Sequence, residues 1–184
     1  VMYDAALTFI PDHQTQADIL SHYAVRSKQF AIATIHRAAT AENVPALRDI
    51  ILAFKQIELP ILLPLHPHTA KTIEDLIISA PNVHIIAPIG YIEMLVLERH
   101  ASHIFTDSGG MQKEAYFQGT PCITLRDETE WTETVNAGWN RLVGTNTQRI
   151  IDAFRIPFAG EIFDEYGNGN SAQQIIHLLC QKKY

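Results

Sequence analysis

The amino-acid sequence predicts an α/β protein with a Rossmann-like, doubly wound parallel sheet in a single domain that spans residues 1–184. Short, uniformly apolar stretches alternate along the chain with longer stretches of helical spacing, a pattern typical of parallel strands buried on both faces. Polar residues follow directly after several of these apolar stretches, and ligands bind beyond the carboxyl ends of such strands. The length also suits one domain.

The spacing of apolar residues and the positions of turn residues predict the individual strands and helices. In the segment Val44–Gln56, residues Leu47, Ile50 and Phe54 recur at the spacing of one helix face. Pro60 and Gly119 interrupt helical segments just before apolar runs. Short, mainly apolar runs predict strands at Gln29–Ile35, Ile61–Leu65, Val83–Ala87, Ser102–Thr106 and Pro121–Leu125, and a further strand near Asn140–Val143 completes the alternation. Helices are predicted at Gln14–Val25, Val44–Gln56, Thr69–Ser79, Tyr91–His100, Gly110–Gln118, Glu133–Ala137, Asn146–Phe154 and Ser171–Gln181, and Pro157–Asn170 reads as a polar loop.

The composition of the chain argues against a nucleic-acid partner and a membrane span. Hydrophobic residues make up 47% of the chain and the formal net charge is −6, so we expect a packed core and no nucleic-acid partner, which would require clustered Lys and Arg. No apolar run approaches the length of a membrane span, and the start lacks the basic region of a signal peptide. Cys122 and Cys180 form no paired motif. We therefore expect a cytoplasmic protein with reduced thiols, although the chain begins as if cut from a longer one.

The stretch Ile104–Ala115 is the most informative. An apolar run ends at Asp107, and a helix-like segment begins after Ser108, Gly109 and Gly110. The first turn of a helix offers unpaired N–H groups and a partial positive charge, and glycines let a ligand approach the backbone. This pattern predicts a phosphate site, with Glu114 beside it to accept hydrogen bonds from sugar hydroxyls. A capped helix without a ligand gives the same pattern.

Other strand ends carry further candidates. His36 and Arg37 follow the first strand, and Arg126 follows the fifth. An arginine there can bind phosphate or form a surface ion pair, and a histidine can act near the chemistry or bond a backbone carbonyl. The segment His66–His68 is a poor metal-ligand set, so we expect no metal. The chain lacks a P-loop lysine and an N-terminal G-x-G-x-x-G turn, so nicotinamide is not supported, and we expect no cofactor.

These residues resemble the C-terminal half of the non-hydrolysing UDP-N-acetylglucosamine 2-epimerases. The motifs agree in order over about residues 1–150. They are Thr34–Arg37, Pro64–Pro67, Ile89–Tyr91, Thr106–Ala115, Gly119–Cys122, Leu125–Glu130 and Glu133–Gly138.

The resemblance implies the C-terminal domain of a glycosyltransferase type B fold, with the active site in a cleft between two Rossmann-like domains. It implies that Ser108, Gly109 and Gly110 hold the diphosphate of a UDP-sugar, and that Glu114 binds the ribose. Backbone near Met94 would contact the uracil, and His36 would lie by the phosphate and sugar as a catalytic residue. We also expect Arg37 and Arg126 to bind the UDP.

The chemistry implied is inversion at C2 of the sugar, by elimination and re-addition of UDP. The required carboxylates come mainly from an N-terminal domain that is absent from this sequence, so this half alone is expected to be inactive. We expect the parent protein to be a homodimer. A glycosyltransferase donor domain, a hydrolysing epimerase and a non-catalytic nucleotide-binding module are the alternatives.

Two departures from the family pattern stand out. The family usually reads His-Arg-x-Glu-Asn where this chain has His36-Arg37-Ala38-Ala39-Thr40. It usually has Arg-Pro where this chain has Trp131-Thr132, a feature closer to the relatives that act on UDP-diacetamido-glucuronic acid. Losing an arginine beside the phosphates would cost about 1.5–3 kcal/mol unless another cation, such as Arg126, replaces it.

Overall fold

A computed structural model describes residues 1–65, 69–70, 73, 80–161 and 165–181. Its strands are β1 (Ala31–Thr34), β2 (Ile61–Pro64), β3 (Val83–Ile86), β4 (His103–Thr106), β5 (Cys122–Thr124) and β6 (Asn140–Leu142). Its helices are α1 (Met2–Thr8), α2 (His13–His22), α3 (Ala38–Ala41), α4 (Val44–Phe54), α5 (Tyr91–His100), α6 (Gly109–Gln118), α7 (Thr132–Asn136), α8 (Thr147–Arg155) and α9 (Ser171–Gln181). In this part of the chain, no helix combines the length and the apolar character needed to cross a membrane.

The six strands form one parallel sheet in the order β3-β2-β1-β4-β5-β6. This order confirms the doubly wound fold predicted from the sequence. The sheet grows outward in one direction from β1 to β3 and in the other from β4 to β6, so β1 and β4 lie side by side at the point of reversal. A crevice opens beyond the carboxyl ends of two such strands, which is where ligands bind in this architecture.

Each face of the sheet has its own apolar core. Leu47, Ile50 and Phe54 of α4 pack against one face together with residues of α8. Leu97 of α5 and Ala115 of α6 pack against the other face, which α2 also covers. Because helices shield both faces, every residue of β1 and β2 is buried, which explains why their sequences are apolar apart from Thr34.

The predicted strands are all present, and each is one to three residues shorter than predicted. The first predicted helix ends at His22 rather than Val25 because Ala24 adopts a left-handed conformation with φ of 52°. Helices α1 and α3 were not predicted; α3 is a single turn without a side-chain cap, so it leaves no local signature. The predicted helix Thr69–Ser79 lies mostly outside the described residues.

Candidate functional site

The site lies at the carboxyl ends of β1 and β4, where the loop after each strand meets the other. Asp107, directly after β4, is completely buried. Its carboxylate accepts hydrogen bonds from the backbone N–H of His36 at 3.0 Å and of Arg37 at 3.1 Å. The loop after β1 is thereby fixed to the loop after β4, and both predicted residues are brought to the crevice.

The turn between β4 and α6 is held by side chains of the strands themselves. The backbone N–H of Ser108 donates to the hydroxyl of Thr106 at 2.9 Å, and the Thr106 hydroxyl also pairs with that of Thr34 at 2.7 Å. Ser108 is the N-cap of α6, and its hydroxyl accepts a hydrogen bond from the N–H of Met111. Ser108 therefore caps the first turn of α6, which both interpretations of this stretch allow.

The two glycines of this turn, with Ser108, form what we call the glycine turn (Ser108–Gly110). Trp131 approaches Gly109 so closely that a Cβ at that position would lie 2.9 Å from the indole Nε1. A Cβ on Gly110 would lie 3.5 Å from the Met2 methyl group. Gly109 therefore needs its bare backbone, whereas a Cβ on Gly110 would make an ordinary van der Waals contact, and Trp131 forms one wall beside the turn. The ammonium group of Lys113 lies 3.7 Å from the centre of the Trp131 ring, a cation–π contact.

Two arginines flank the glycine turn and share one carboxylate. Arg126 donates to both oxygens of Glu130 at 2.8 and 3.0 Å, and the guanidinium of Arg37 lies 3.8 Å from the same carboxylate. The hydrogen bonds from Arg126 lower the pKa of Glu130 to about 2. Glu130 is thus an anion at neutral pH, held by the cations that were predicted to bind phosphate.

Glu114 lies one turn further along α6 and is mostly buried. Burial raises the pKa of its carboxyl group, while a hydrogen bond with the Tyr91 hydroxyl and the charge of Lys113 oppose that rise. Desolvation and the neighbouring Glu114 raise the pKa of Tyr91 to about 12, so Tyr91 keeps its proton and donates it. Tyr91 opens α5, the helix that also carries Met94.

The remaining predicted residues are placed as follows. The backbone amide of Met94 donates to the carbonyl of Gly90 at the start of α5, at 3.0 Å. The Met94 side chain is partly buried against the core. The His36 side chain is exposed at the crevice. The nearest acid and amide to the family's Glu-Asn pair are Glu42 and Asn43, a few residues later in the chain. Glu42 is exposed at the end of α3, and Asn43 caps α4 by accepting from the Ala46 N–H. The segment His66–His68 lies outside the described residues.

A buried polar network supports the wall around Trp131. The side-chain oxygen of Gln112 accepts from Thr129 at 2.6 Å and from Asn140 at 3.0 Å. Asn140 also donates to the Thr134 hydroxyl at 3.0 Å, and Thr134 donates to the Trp131 carbonyl. These bonds tie α6, β6 and the loop after β5 together. The position of Trp131 is therefore set by the fold rather than by the loop alone.

Sequence reasoning gave no role to two residues of the site. Asp107 was quoted only within the motif Thr106–Ala115, although a carboxylate at the end of a predicted strand is a signal for backbone anchoring. Tyr91 was quoted only in the motif Ile89–Tyr91 and in the helix Tyr91–His100, and nothing in the sequence indicated that it lies beside Glu114.

Comparisons with known proteins bear on the same site. Residues 1–180 match the family model described as UDP-N-acetylglucosamine 2-epimerase. A UDP-N-acetylglucosamine 2-epimerase homolog of Methanococcus maripaludis is 40% identical, over 97% of this chain and 52% of the relative. A UDP-2,3-diacetamido-2,3-dideoxy-D-glucuronate 2-epimerase of Pseudomonas aeruginosa is 37% identical, over 98% of this chain and 51% of the relative.

The structural comparison agrees. The crystal structure of Methanocaldococcus jannaschii UDP-GlcNAc 2-epimerase in complex with UDP-GlcNAc and UDP superimposes with a TM-score of 0.82 and 32% identity. The match covers 98% of this chain and 53% of that one. The chain spans about half the length of the relatives that it matches.

Proposed function

The chain belongs to the UDP-N-acetylglucosamine 2-epimerase family, and from this premise we propose that it is the UDP-binding half of a nucleotide-sugar 2-epimerase. The whole protein would invert C2 of a UDP-N-acetylhexosamine or a UDP-diacetamido-glucuronate. The observation that carries the proposal is the glycine turn, which opens a helix at the crevice between β1 and β4. Arg37 and Arg126 flank it, and Glu114 lies one turn behind it.

The diphosphate would bind at the glycine turn. The N–H groups of Gly109 and Gly110 carry the positive end of the α6 dipole, which favours an anion. The Arg126 side chain is nine-tenths buried, and its planar guanidinium can donate to two oxygens at once, as it does to the Glu130 carboxylate. In the bound protein the phosphate oxygens would replace the Glu130 carboxylate on Arg126 and Arg37. Two positive charges would then face the two negative phosphates.

The ribose would bind at Glu114, and the uracil near Met94. A carboxylate accepts about four hydrogen bonds, more than the neighbouring Tyr91 hydroxyl alone can fill. Acceptor positions therefore remain for the vicinal ribose hydroxyls. The same helix pair carries both groups, since Tyr91 and Met94 belong to α5 and Glu114 to α6. The nucleoside would then lie along the line where these helices meet.

The proposed reaction eliminates UDP from the sugar and adds it back. The bond between C1 and the phosphate oxygen breaks as the proton leaves C2, so negative charge develops on the departing diphosphate. A helix N-terminus with two arginines stabilises charge at that position. His36 lies at the mouth of the crevice, where we propose that it acts beside the phosphate and the sugar. Carboxylates that move the C2 proton would come from the other half of the protein.

The missing half would be an N-terminal domain that packs over this one. The apolar residues Ile175, Ile176, Leu178 and Leu179 of α9 are 47–66% exposed, and no residue of α9 is buried. We expect this exposed apolar face to pack against another part of the complete protein. Since this chain spans half of its relatives, the absent domain is the proposed cover. A homodimeric parent protein stays a prediction.

The wall formed by Trp131 bears on which sugar is used. A tryptophan stands where the acetylglucosamine enzymes usually carry an arginine, and its indole lies over Gly109 while Lys113 lies over its ring. We propose that this arrangement belongs to an enzyme for a diacetamido-glucuronate, the substrate named for the relative from Pseudomonas aeruginosa. The positive charge there would come from Lys113 instead of the missing arginine.

The test is a titration of this chain with UDP, followed by the backbone amide resonances of Gly109 and Gly110. We expect both to shift, and we expect Arg126→Gln to weaken binding about tenfold or more, because a charge-assisted pair of bonds is lost. Arg149→Gln is the matched control. Arg149 is 56% exposed and also pairs with a loop carboxylate, Asp127, at 3.4 Å. Unshifted glycine amides, or equal effects of the two variants, would contradict the proposal.

A further inference from the structure

The indole N–H of Trp131 is a hydrogen-bond donor that the proposed function does not use. Trp131 is half-buried at the start of α7, and in the described part of the chain no hydrogen bond joins its Nε1 atom to another group. A Cβ on Gly109 would lie 2.9 Å from Nε1 and 3.7 Å from the adjoining Cδ1. The edge of the ring that carries the N–H therefore faces the glycine turn.

A carboxylate approaches the same point beside Gly109. The Cβ position of Gly109 lies 3.8 Å from Oε2 of Glu130. Arg126 donates to both oxygens of this carboxylate at 2.8 and 3.0 Å, and the Arg37 guanidinium lies 3.8 Å from it. An anion of the protein itself is thus held where the glycine turn, the two arginines and the indole converge. This is the place proposed above for the diphosphate.

Trp131 is held in position through its backbone and through its ring. Its backbone N–H donates to the Thr129 hydroxyl at 3.1 Å, and its carbonyl accepts from the Thr134 hydroxyl at 2.7 Å. The Lys113 ammonium lies 3.7 Å from the ring centre. A cation on the ring face attracts the π electrons, so it makes the indole N–H a stronger donor. Because the donor is positioned before a ligand arrives, little entropy is lost when it is used.

We propose that the indole N–H of Trp131 donates a hydrogen bond to the diphosphate when UDP binds at the glycine turn. The inference rests on the proposed function, which places the diphosphate there. A hydrogen bond to a charged oxygen is stronger than one between neutral groups. The same bond would stabilise the negative charge that develops on the departing diphosphate. Trp131 and the two arginines would then contact oxygens of one diphosphate from different sides of the turn.

The second tryptophan of the chain, Trp139, is a matched control. It lies directly before β6, where its carbonyl accepts from the backbone N–H of Cys122 at 2.9 Å. This places Trp139 at the amino ends of the strands, at the opposite edge of the sheet from the glycine turn. Its Nε1 is buried and has no hydrogen-bond partner among the described residues. Trp139 thus carries an indole N–H that UDP cannot reach.

The first measurement follows the two indole N–H resonances of nitrogen-15-labelled protein during titration with UDP, with Trp139→Phe to assign them. We expect the Trp131 resonance to move downfield and the Trp139 resonance to stay in place. UDP carries no sugar, so this shift would assign the acceptor to the diphosphate. Uridine lacks phosphates and should leave the Trp131 resonance nearly unmoved.

Two results of this titration would overturn the inference. One is a shift of the Gly109 and Gly110 amides while the Trp131 indole resonance stays in place, which would leave the proposed function standing. The other is an equal shift of the indole resonance with UDP and with uridine. No binding of UDP by a folded wild type would refute the proposed function, and this inference with it.

The second measurement compares the dissociation constants of UDP and uridine for the wild type, Trp131→Phe and Trp139→Phe. Trp131→Phe keeps an aromatic ring beside Lys113 and loses only the donor, so UDP should bind about tenfold more weakly while uridine binding is unchanged. Trp139→Phe should change neither constant. Unchanged UDP affinity in Trp131→Phe, or equal weakening of UDP and uridine, would overturn the inference. If Trp131→Phe does not fold, the indole resonance of the wild type decides.

Discussion

Asp107→Ala removes the carboxylate that joins the loops after β1 and β4. Two backbone donors lose their acceptor, the N–H groups of His36 and Arg37 at 3.0 and 3.1 Å. A hydrogen bond to a charged group contributes about 1.5–3 kcal/mol, so two contribute about 3–6 kcal/mol before the loop is rehydrated. Because His36 and Arg37 are exposed, water replaces part of this. We expect a net loss of about 2–4 kcal/mol in the free energy of unfolding.

Urea denaturation measures this loss directly, and a thermal scan should show a fall of about 4–16 °C in the melting temperature. Asp107→Asn keeps one carbonyl acceptor of the same shape and should lose roughly half as much. Asp152→Ala is the control, since Asp152 is an exposed acid on α8 whose side chain bonds Gln148. If Asp107→Ala changed stability by no more than Asp152→Ala, the proposed anchoring of the loop would be wrong.

Three further predictions concern the site and the core. Glu130→Gln removes the carboxylate that is paired with Arg126 and competes with the phosphates, so UDP should bind about two- to fivefold more tightly by calorimetry. Weaker binding would show that Glu130 helps to hold the ligand. Gly109→Ala places a Cβ 2.9 Å from the Trp131 indole, which the polar network holds in place, so both the UDP affinity and the melting temperature should fall, the affinity at least tenfold. Retained affinity would argue against the glycine turn as the phosphate site. Burial lowers the pKa of His103 to about 4, below the ~6.5 of an unfolded histidine. Between these two pH values only the unfolded chain binds the proton, so the free energy of unfolding should decline by up to about 3 kcal/mol as the pH falls from 6.5 to 4. This decline should be smaller in His103→Phe. An unchanged pH profile in that variant would show that His103 does not cause the decline.

The sequence was sufficient for the sheet because buried parallel strands leave a local signature. Each of β1 to β5 lies within a mainly apolar run bounded by polar or turn residues, and Ser108 marks the start of α6 by its capping side chain. The strand β6 (Asn140–Leu142) carries two polar residues and was predicted from the alternation of strands and helices. The crevice could likewise be predicted, since polar residues after several strands must share one edge of a parallel sheet. Membership in the epimerase family, expected from the motifs, is confirmed.

The parts that could not be predicted depend on contacts between distant segments. Asp107 and the amides that it binds are 70 and 71 residues apart along the chain, and nothing local to either segment indicates the pairing. A glutamate in a helix is ordinarily expected at the surface, so the burial of Glu98 follows only from the packing of α5 against α6. Arg126 was predicted as a phosphate ligand, and its pairing with Glu130 in the empty site could not be inferred from spacing.

The central claim is that UDP binds at the start of α6, with its ribose on Glu114. Calorimetric titration of this chain with UDP, for the wild type, Glu114→Ala and the control Asp152→Ala, tests that claim most directly. We expect saturable binding that Glu114→Ala weakens at least tenfold, because hydrogen bonds to a charged acceptor are lost, and that Asp152→Ala leaves unchanged. Equal affinity of the wild type and Glu114→Ala, or no binding by a folded wild type, would contradict the account.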